Sequence, residues 1–243
     1  MSDEDAERYL AFLRERRERI LERLAEAAAR SGRDASEVGA LAVSKTVGPD
    51  EVALAWQAGW RAFAENRPQE LRRKLEALPQ HPEMAGVRFD MIGNLQKNKI
   101  NMVIGRVELI HSVRSAELAD AIARHCEARG LTARVLLEVN VSGEESKSGM
   151  TCEEARAAAE HVASLAPLSL EGLMAMAPRN EPDVARATFS GLRELRDELR
   201  GRTGLPLPVL SCGMSDDFPI AVEEGSTLVR LGRTVFDPNY VLE

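Results

Sequence analysis

The chain has 243 residues, 44% hydrophobic and 29% charged, and its 32 Lys and Arg against 39 Asp and Glu leave a formal charge of −7. That balance excludes a global basic field for nucleic acid or anionic lipid, though a local cationic pocket stays open. The cysteines Cys126, Cys152 and Cys212 are odd in number and lack CxxC spacing, which argues against a disulfide framework and for a reducing cytoplasm.

The chain starts "MSDEDAERYLAFLRERRERI", with no apolar signal segment, and nothing approaches 18 consecutive apolar residues, so no membrane span is expected. Residues 1–32 read as a charged amphipathic helix. Its apolar positions Leu10, Leu13, Ile20, Leu21 and Leu24 would pack on the body and cover one end of the domain.

From there β-leaning apolar runs recur: "LAVSK" (41–45), "RAFAEN" (61–66), "FDMIG" (89–93), "LIHSV" (109–113), "RVLLEVNV" (134–141), "LEGLMAM" (170–176), "VLSCGMS" (209–215) and "TLVRLG" (227–232). Helical segments lie between them. One opens on Ser115 and closes on Gly130; another opens on Thr151 with Glu154 as a capping box; a third, from Glu181, runs to a glycine-containing turn. Eight strand signals alternating with helices predict parallel strands and a single-domain (β/α)8 TIM-type barrel over 39–236, within a 1–243 domain. A doubly wound open sheet is the rival, but no GxGxxG follows the first strand.

In such a barrel the chemistry sits at the C-terminal ends of the strands. Those ends carry Lys45, Glu65-Asn66, Gly93-Asn94, Ser112, Asn140 to Ser142, Met176, Ser215, Arg230 and Gly232. The loops after strands seven and eight, a common phosphate site of the fold, begin "CGMSDD" and "RLGRT". Ser215 offers a hydroxyl, Gly213 and Gly232 let backbone amides approach an anion, Asp216-Asp217 would cap the next helix, and Arg230 supplies charge. A strand-one lysine facing a phosphate cradle suits an aldehyde cofactor such as pyridoxal 5'-phosphate, with Lys45 forming a Schiff base. Partial burial of Lys45 and the nearby Arg230 would favour its neutral, nucleophilic amine.

The blocks "AVSKT", "FAENRPQE", "MIGNLQKNK", "NVSGEESKSGM", "GLMAM" and "LSCGMSDDFPIAVEEGSTLVRLGRTVF" resemble the pyridoxal phosphate homeostasis proteins, which are themselves similar to the barrel half of alanine racemase. The resemblance runs from about Leu41 to Phe236. It implies a fold-type-III barrel with Lys45 as the Schiff-base lysine, Asn66 beside the cofactor, Ser215, Arg230 and Gly232 around its phosphate, and Met214 among the cofactor-binding residues. Ala64, Arg67-Pro68, Asp90 and Asp237 depart from the family pattern at positions expected on the pocket rim.

Other features have plainer readings. Lys147 in "GEESKSGM" is expected on a βα loop, with a second contact to an anion or aldehyde as the sharper alternative. "NLQKNKI" opens a helix or forms a cationic rim. "HCE" at 125–127 is mid-helix without the P-C-x-x-C of a zinc deaminase, and Cys212 reads as a small buried residue. A racemase needs a second acid/base group. In alanine racemases a tyrosine of the second domain supplies it, whereas here Tyr9 and Tyr240 are expected outside the pocket. The leading expectation is therefore a monomeric cytoplasmic protein that sequesters pyridoxal phosphate and delivers it to apo-enzymes. The alternatives are a low-activity amino-acid racemase, and a barrel for another phosphorylated substrate with Lys45 as an aldolase-type amine.

Overall fold

A computed structural model describes residues 2–144 and 148–242. Lys147 lies outside them. Eight parallel strands close into a barrel in chain order. They are β1 (Gly39–Val43), β2 (Ala62–Glu65), β3 (Arg88–Met91), β4 (Ile110–Val113), β5 (Ala133–Glu138), β6 (Leu168–Met174), β7 (Val209–Ser211) and β8 (Leu228–Leu231). The closing pair is β1 with β8, in register from Gly39↔Leu228 to Ala42↔Leu231, and this excludes the open sheet.

The helices are α1 (Asp3–Arg30), α2 (Pro49–Gln57), α3 (Pro68–Ala77), α4 (Ala116–Glu127), α5 (Cys152–Ser164), α6 (Pro182–Thr203), α7 (Phe218–Glu223) and α8 (Arg233–Phe236). Their ends follow local chemistry. Ser115 accepts the Leu118 N–H at the start of α4, and Thr151 with Glu154 forms the capping box of α5. Gly204 closes α6 in the left-handed conformation at φ 70°. α4 stops at Glu127, so Gly130 lies beyond its cap, in the connection to β5. The segment "NLQKNKI" forms only a 3-10 turn, Lys97–Met102, where the third α-helix of an ideal barrel would stand.

α8 has only four residues, and α1 takes up the vacant outer layer by packing against α7, α2 and α8. It buries Leu13, Ile20, Leu24, Ala27 and Ala28. Leu21 is 41% exposed, so of the expected packing positions this one is not buried. The helix lies along the flank because that is where apolar surface is left uncovered. Among the described residues no helix is long and apolar enough to cross a membrane.

The main core lies between the strands and the helices, where alternate strand residues such as Phe63, Phe89, Ile110, Leu137, Leu173 and Val229 meet the helix faces. Inside the barrel the apolar filling is thin. Leu41, Val43 and Ala64 form one small cluster, and Leu109, Leu136 and Met174 another.

Candidate functional site

All eight strands run parallel, so their C-terminal ends share one mouth, and the β1–β8 pair puts the Lys45 loop beside the Gly232 loop. β1 ends at Val43, two residues earlier than the sequence pattern suggests. Lys45 therefore stands in the following turn and is exposed, not partly buried. Its backbone is nonetheless tightly held. The preceding residue, Ser44, is fully buried and donates its hydroxyl to Glu65 Oε1 at 2.6 Å. Lys74 Nζ donates to the Ser44 carbonyl at 3.0 Å and to Glu65 Oε1 at 2.5 Å. This buried ion pair anchors the strand end from which Lys45 projects. Sequence reading missed it; the available signal was Lys74 falling three residues after buried Leu71, on the inward face of α3.

Asn66 follows β2 at the same mouth. Gly93 packs directly on its backbone: a Cβ at Gly93 would lie 2.0 Å from the Asn66 carbonyl oxygen. Ser112 donates to the Gly93 carbonyl at 2.6 Å, tying the ends of β2, β3 and β4 together.

The loops after β7 and β8 meet. Ser215 is buried and its Oγ accepts the Thr234 N–H of α8 at 3.2 Å. Met214 N–H donates to Asp217 Oδ1 at 2.6 Å. Asp216 and Asp217 do not cap α7 with their side chains as expected. Asp217 folds back on Met214, and Asp216 pairs with Arg233 at 2.5 Å. Burial pushes the Asp217 carboxyl above its ordinary value, against the Met214 hydrogen bond and the Arg230 charge.

The two glycines differ in cause. Gly213 has φ 91°, and a Cβ there would meet Ala221 Cβ at 2.6 Å, so helix packing demands it. At Gly232 a Cβ would meet nothing nearer than Val43 at 3.6 Å, so the protein's own packing does not require glycine there. Open backbone beside Ser215 is what a group seated in this cradle needs. Tyr240 comes nearer than expected: its hydroxyl donates within 2.9 Å of the Ser215 carbonyl and of Asp216 Oδ1. Tyr9 donates to the Phe236 carbonyl at 2.8 Å, and burial raises its phenol to about 12.

Arg230 projects into the barrel from β8 and is 4% exposed. Its Nη1 donates to the Ser211 carbonyl at 2.6 Å and Ser211 Oγ at 2.7 Å, and Nη2 to the Ala175 carbonyl at 3.0 Å. These acceptors are neutral, and among the described residues no carboxylate forms an ion pair with it. Burial pulls the guanidinium below its ordinary range, and the charges of Cys212, Asp217 and Glu138 oppose that pull. Glu138, bonded by the Ser148 hydroxyl, is itself pushed up by burial. A buried cation whose hydrogen-bond acceptors are all neutral is costly, and it draws an anionic or electron-rich partner.

The sequence reading also missed the neighbours of Ser211. His111 Nδ1 lies 2.9 Å from Ser211 Oγ, and His111 Nε2 lies 3.1 Å from Asp90 Oδ2. Asp90 is thus no rim residue but an interior one. It lines a cavity of about 410 Å3 at the opposite, N-terminal mouth, together with Arg17, Arg61, Arg88 and Arg134. None of the predicted site residues line that cavity. Cys212 is buried, with its thiol raised to about 11.

Residues 17–238 match the family described as alanine racemase, N-terminal domain. A pyridoxal phosphate homeostasis protein of Aquifex aeolicus is 40% identical over 223 residues, covering 91% of this chain and 96% of that relative. The chain belongs to the pyridoxal phosphate homeostasis protein family. Among solved structures, PipY of Synechococcus elongatus with PLP bound is 33% identical, covering 89% of this chain and 99% of its own, with a TM-score of 0.78. Alanine racemase of Corynebacterium glutamicum, 17% identical over 93% of this chain and 63% of its own, shares the barrel fold at a TM-score of 0.64.

Proposed function

We propose that the C-terminal mouth binds pyridoxal 5'-phosphate and that the protein takes part in its intracellular homeostasis and delivery. The observation that carries this reading is Arg230, a buried cation with only neutral acceptors, placed below the Gly232 and Ser215 loops. The bound group supplies an aldehyde and a phosphate dianion. Lys45 would supply the amine for that aldehyde, and its exposure leaves it free to do so. Met214, Ser215 and Gly232 would hold the phosphate, Arg230 would add fixed charge, and Asn66 would contact the cofactor. The residues present fit the group.

A carrier role is supported by what the tyrosines do. The Tyr9 hydroxyl is committed to a backbone carbonyl, and that of Tyr240 to the Ser215 carbonyl and the Asp216 carboxylate. Neither supplies the second acid/base group that efficient racemisation needs. The same reading takes apo-enzymes that use the cofactor as recipients, a monomer as the working form and the cytoplasm as its place.

Incubation with pyridoxal phosphate is expected to produce a visible absorption band, and borohydride reduction followed by peptide mass spectrometry should place the label on Lys45. Lys45→Ala should lose both. A protein that takes up no cofactor, or is labelled only elsewhere, overturns the reading.

A further inference from the structure

Four polar side chains cross the barrel interior in single file: Asp90 on β3, His111 on β4, Ser211 on β7 and Arg230 on β8. They are 6%, 0%, 0% and 4% exposed. They are linked by side-chain contacts, Arg230 to Ser211, Ser211 with His111 and His111 with Asp90, while Arg230 also bonds the Ser211 and Ala175 carbonyls.

The direction of every hydrogen bond follows from one fact. A guanidinium can only donate. Ser211 Oγ therefore accepts from Arg230 Nη1. With the Arg230 donor approaching that oxygen, the hydroxyl proton is free to point at His111 Nδ1, 2.9 Å away. An accepting Nδ1 in a neutral ring places the ring proton on Nε2, 3.1 Å from Asp90 Oδ2. Burial keeps this imidazole neutral by disfavouring its cationic form, against the pull of Asp90. The chain runs from donor to acceptor without a break: Arg230 N–H to Ser211, Ser211 O–H to His111, His111 N–H to the Asp90 carboxylate. The reverse orientation, with the ring proton on Nδ1, would require Asp90 to carry a proton.

We infer that His111 and Asp90 are positioning residues for Arg230: through Ser211 they orient its guanidinium and pass to it the balancing charge of a carboxylate seated at the other mouth of the barrel. This rests on the reading of the C-terminal mouth as the cofactor site. It explains why a buried cation with no hydrogen-bonded carboxylate among the described residues keeps one orientation. Ser211 cannot turn its hydroxyl elsewhere while His111 Nδ1 demands the proton, and His111 cannot change tautomer while Asp90 is ionised. Hydrogen bonds aligned in this sense polarise one another, so a change at Asp90 is felt at Arg230.

Two measurements test it. The first is a double-mutant cycle on the cofactor dissociation constant with Asp90→Asn and Ser211→Ala. Asparagine keeps an acceptor for His111 Nε2 but removes the charge, and alanine cuts the file while leaving the Ser211 carbonyl for Arg230. Ser211→Ala should weaken pyridoxal phosphate binding about tenfold and Asp90→Asn about threefold in the parent. In the Ser211→Ala background Asp90→Asn should change nothing. Effects that simply add, or no effect of Asp90→Asn in the parent, overturn the inference; a structural role would lower both stabilities without cancelling in affinity.

The second measurement needs no cofactor. Nitrogen-15 NMR of the histidine side chains in the unsubstituted protein at neutral pH should show His111 as the Nε2–H tautomer with an accepting Nδ1. Ser211→Ala should shift that Nδ1 signal. An Nδ1–H tautomer or a charged ring at neutral pH overturns the inference. If the parent fails to bind pyridoxal phosphate, the cofactor reading falls alone, and the imidazole signals still decide the orientation of the file.

Discussion

The two apolar compartments of this barrel are built differently. Between strands and helices, one continuous core joins residues from α1 to the C-terminal tail. Inside the barrel there are two clusters of three buried residues, alongside the buried polar residues Asp90, His111, Ser211, Arg230 and Glu138. A barrel interior is usually filled by layers of branched aliphatic side chains. Here the outer shell supplies the stabilising apolar burial, and the interior carries charge and hydrogen bonds toward one mouth. Stability and ligand chemistry are thereby given to different faces of the same strands. Alternation along β8 shows it within three residues: Val229 and Leu231 belong to the shell and Arg230 to the interior.

The sharpest way to break this division is to remove one large shell residue. Phe189→Ala, in α6 and 1% exposed, should cost about 3–5 kcal/mol by chemical denaturation. Any protein that stays folded should bind pyridoxal phosphate as before. A loss of affinity without loss of stability would contradict the separation. Arg230→Met tests the opposite side. It should weaken cofactor binding about a hundredfold, yet alter stability by no more than about 1 kcal/mol, because replacing a buried ion with an apolar group removes a desolvation cost. A large fall in melting temperature would mean the interior holds the fold together after all.

The smallest effect is a pH slope. Burial holds the His111 imidazole below its ordinary 6.5, so the unfolded chain takes up this proton first as pH falls. Its contribution to stability is complete above 6.5 and is lost below it, at up to about 1.4 kcal/mol per pH unit. Glu138 and Asp217 act in the opposite sense. Burial raises them, so their contribution is present below their ordinary values of 4.5 and 3.8 and is lost as pH rises through the folded values. Urea denaturation across pH 5 to 7 should therefore show His111→Gln with a less positive dependence of stability on pH than the parent. An equal slope in the variant would assign it to another group.

Much of the fold was legible because its signals are local. Ser115, Thr151 and Gly204 announce helix ends through bonds within a few residues of themselves. The eight apolar runs named every strand to within a few residues. The place of Lys45 at the end of the first strand, with Ser215 and Gly232 at the ends of the seventh and eighth, followed from strand order alone. His111 and Asp90 were harder. Each is one polar residue inside an apolar run, and alternation could have placed both on the inner face, opposite Phe89, Met91 and Ile110. No pattern could show that they touch. Lys74 looked like one more surface cation of a charged helix, and only the proximity of Glu65 and Ser44 makes it an anchor.

The sequence by itself determined the repeating unit, the order of the strands and the residues that leave the sheet at one mouth, since periodic burial and capping depend on near neighbours. The closed tertiary structure decided which polar groups meet across the barrel, where α1 lies, and that Lys45 is exposed. Those contacts join side chains such as His111 and Ser211, 100 residues apart, and their partnership depends on how strand register staggers around the closed ring.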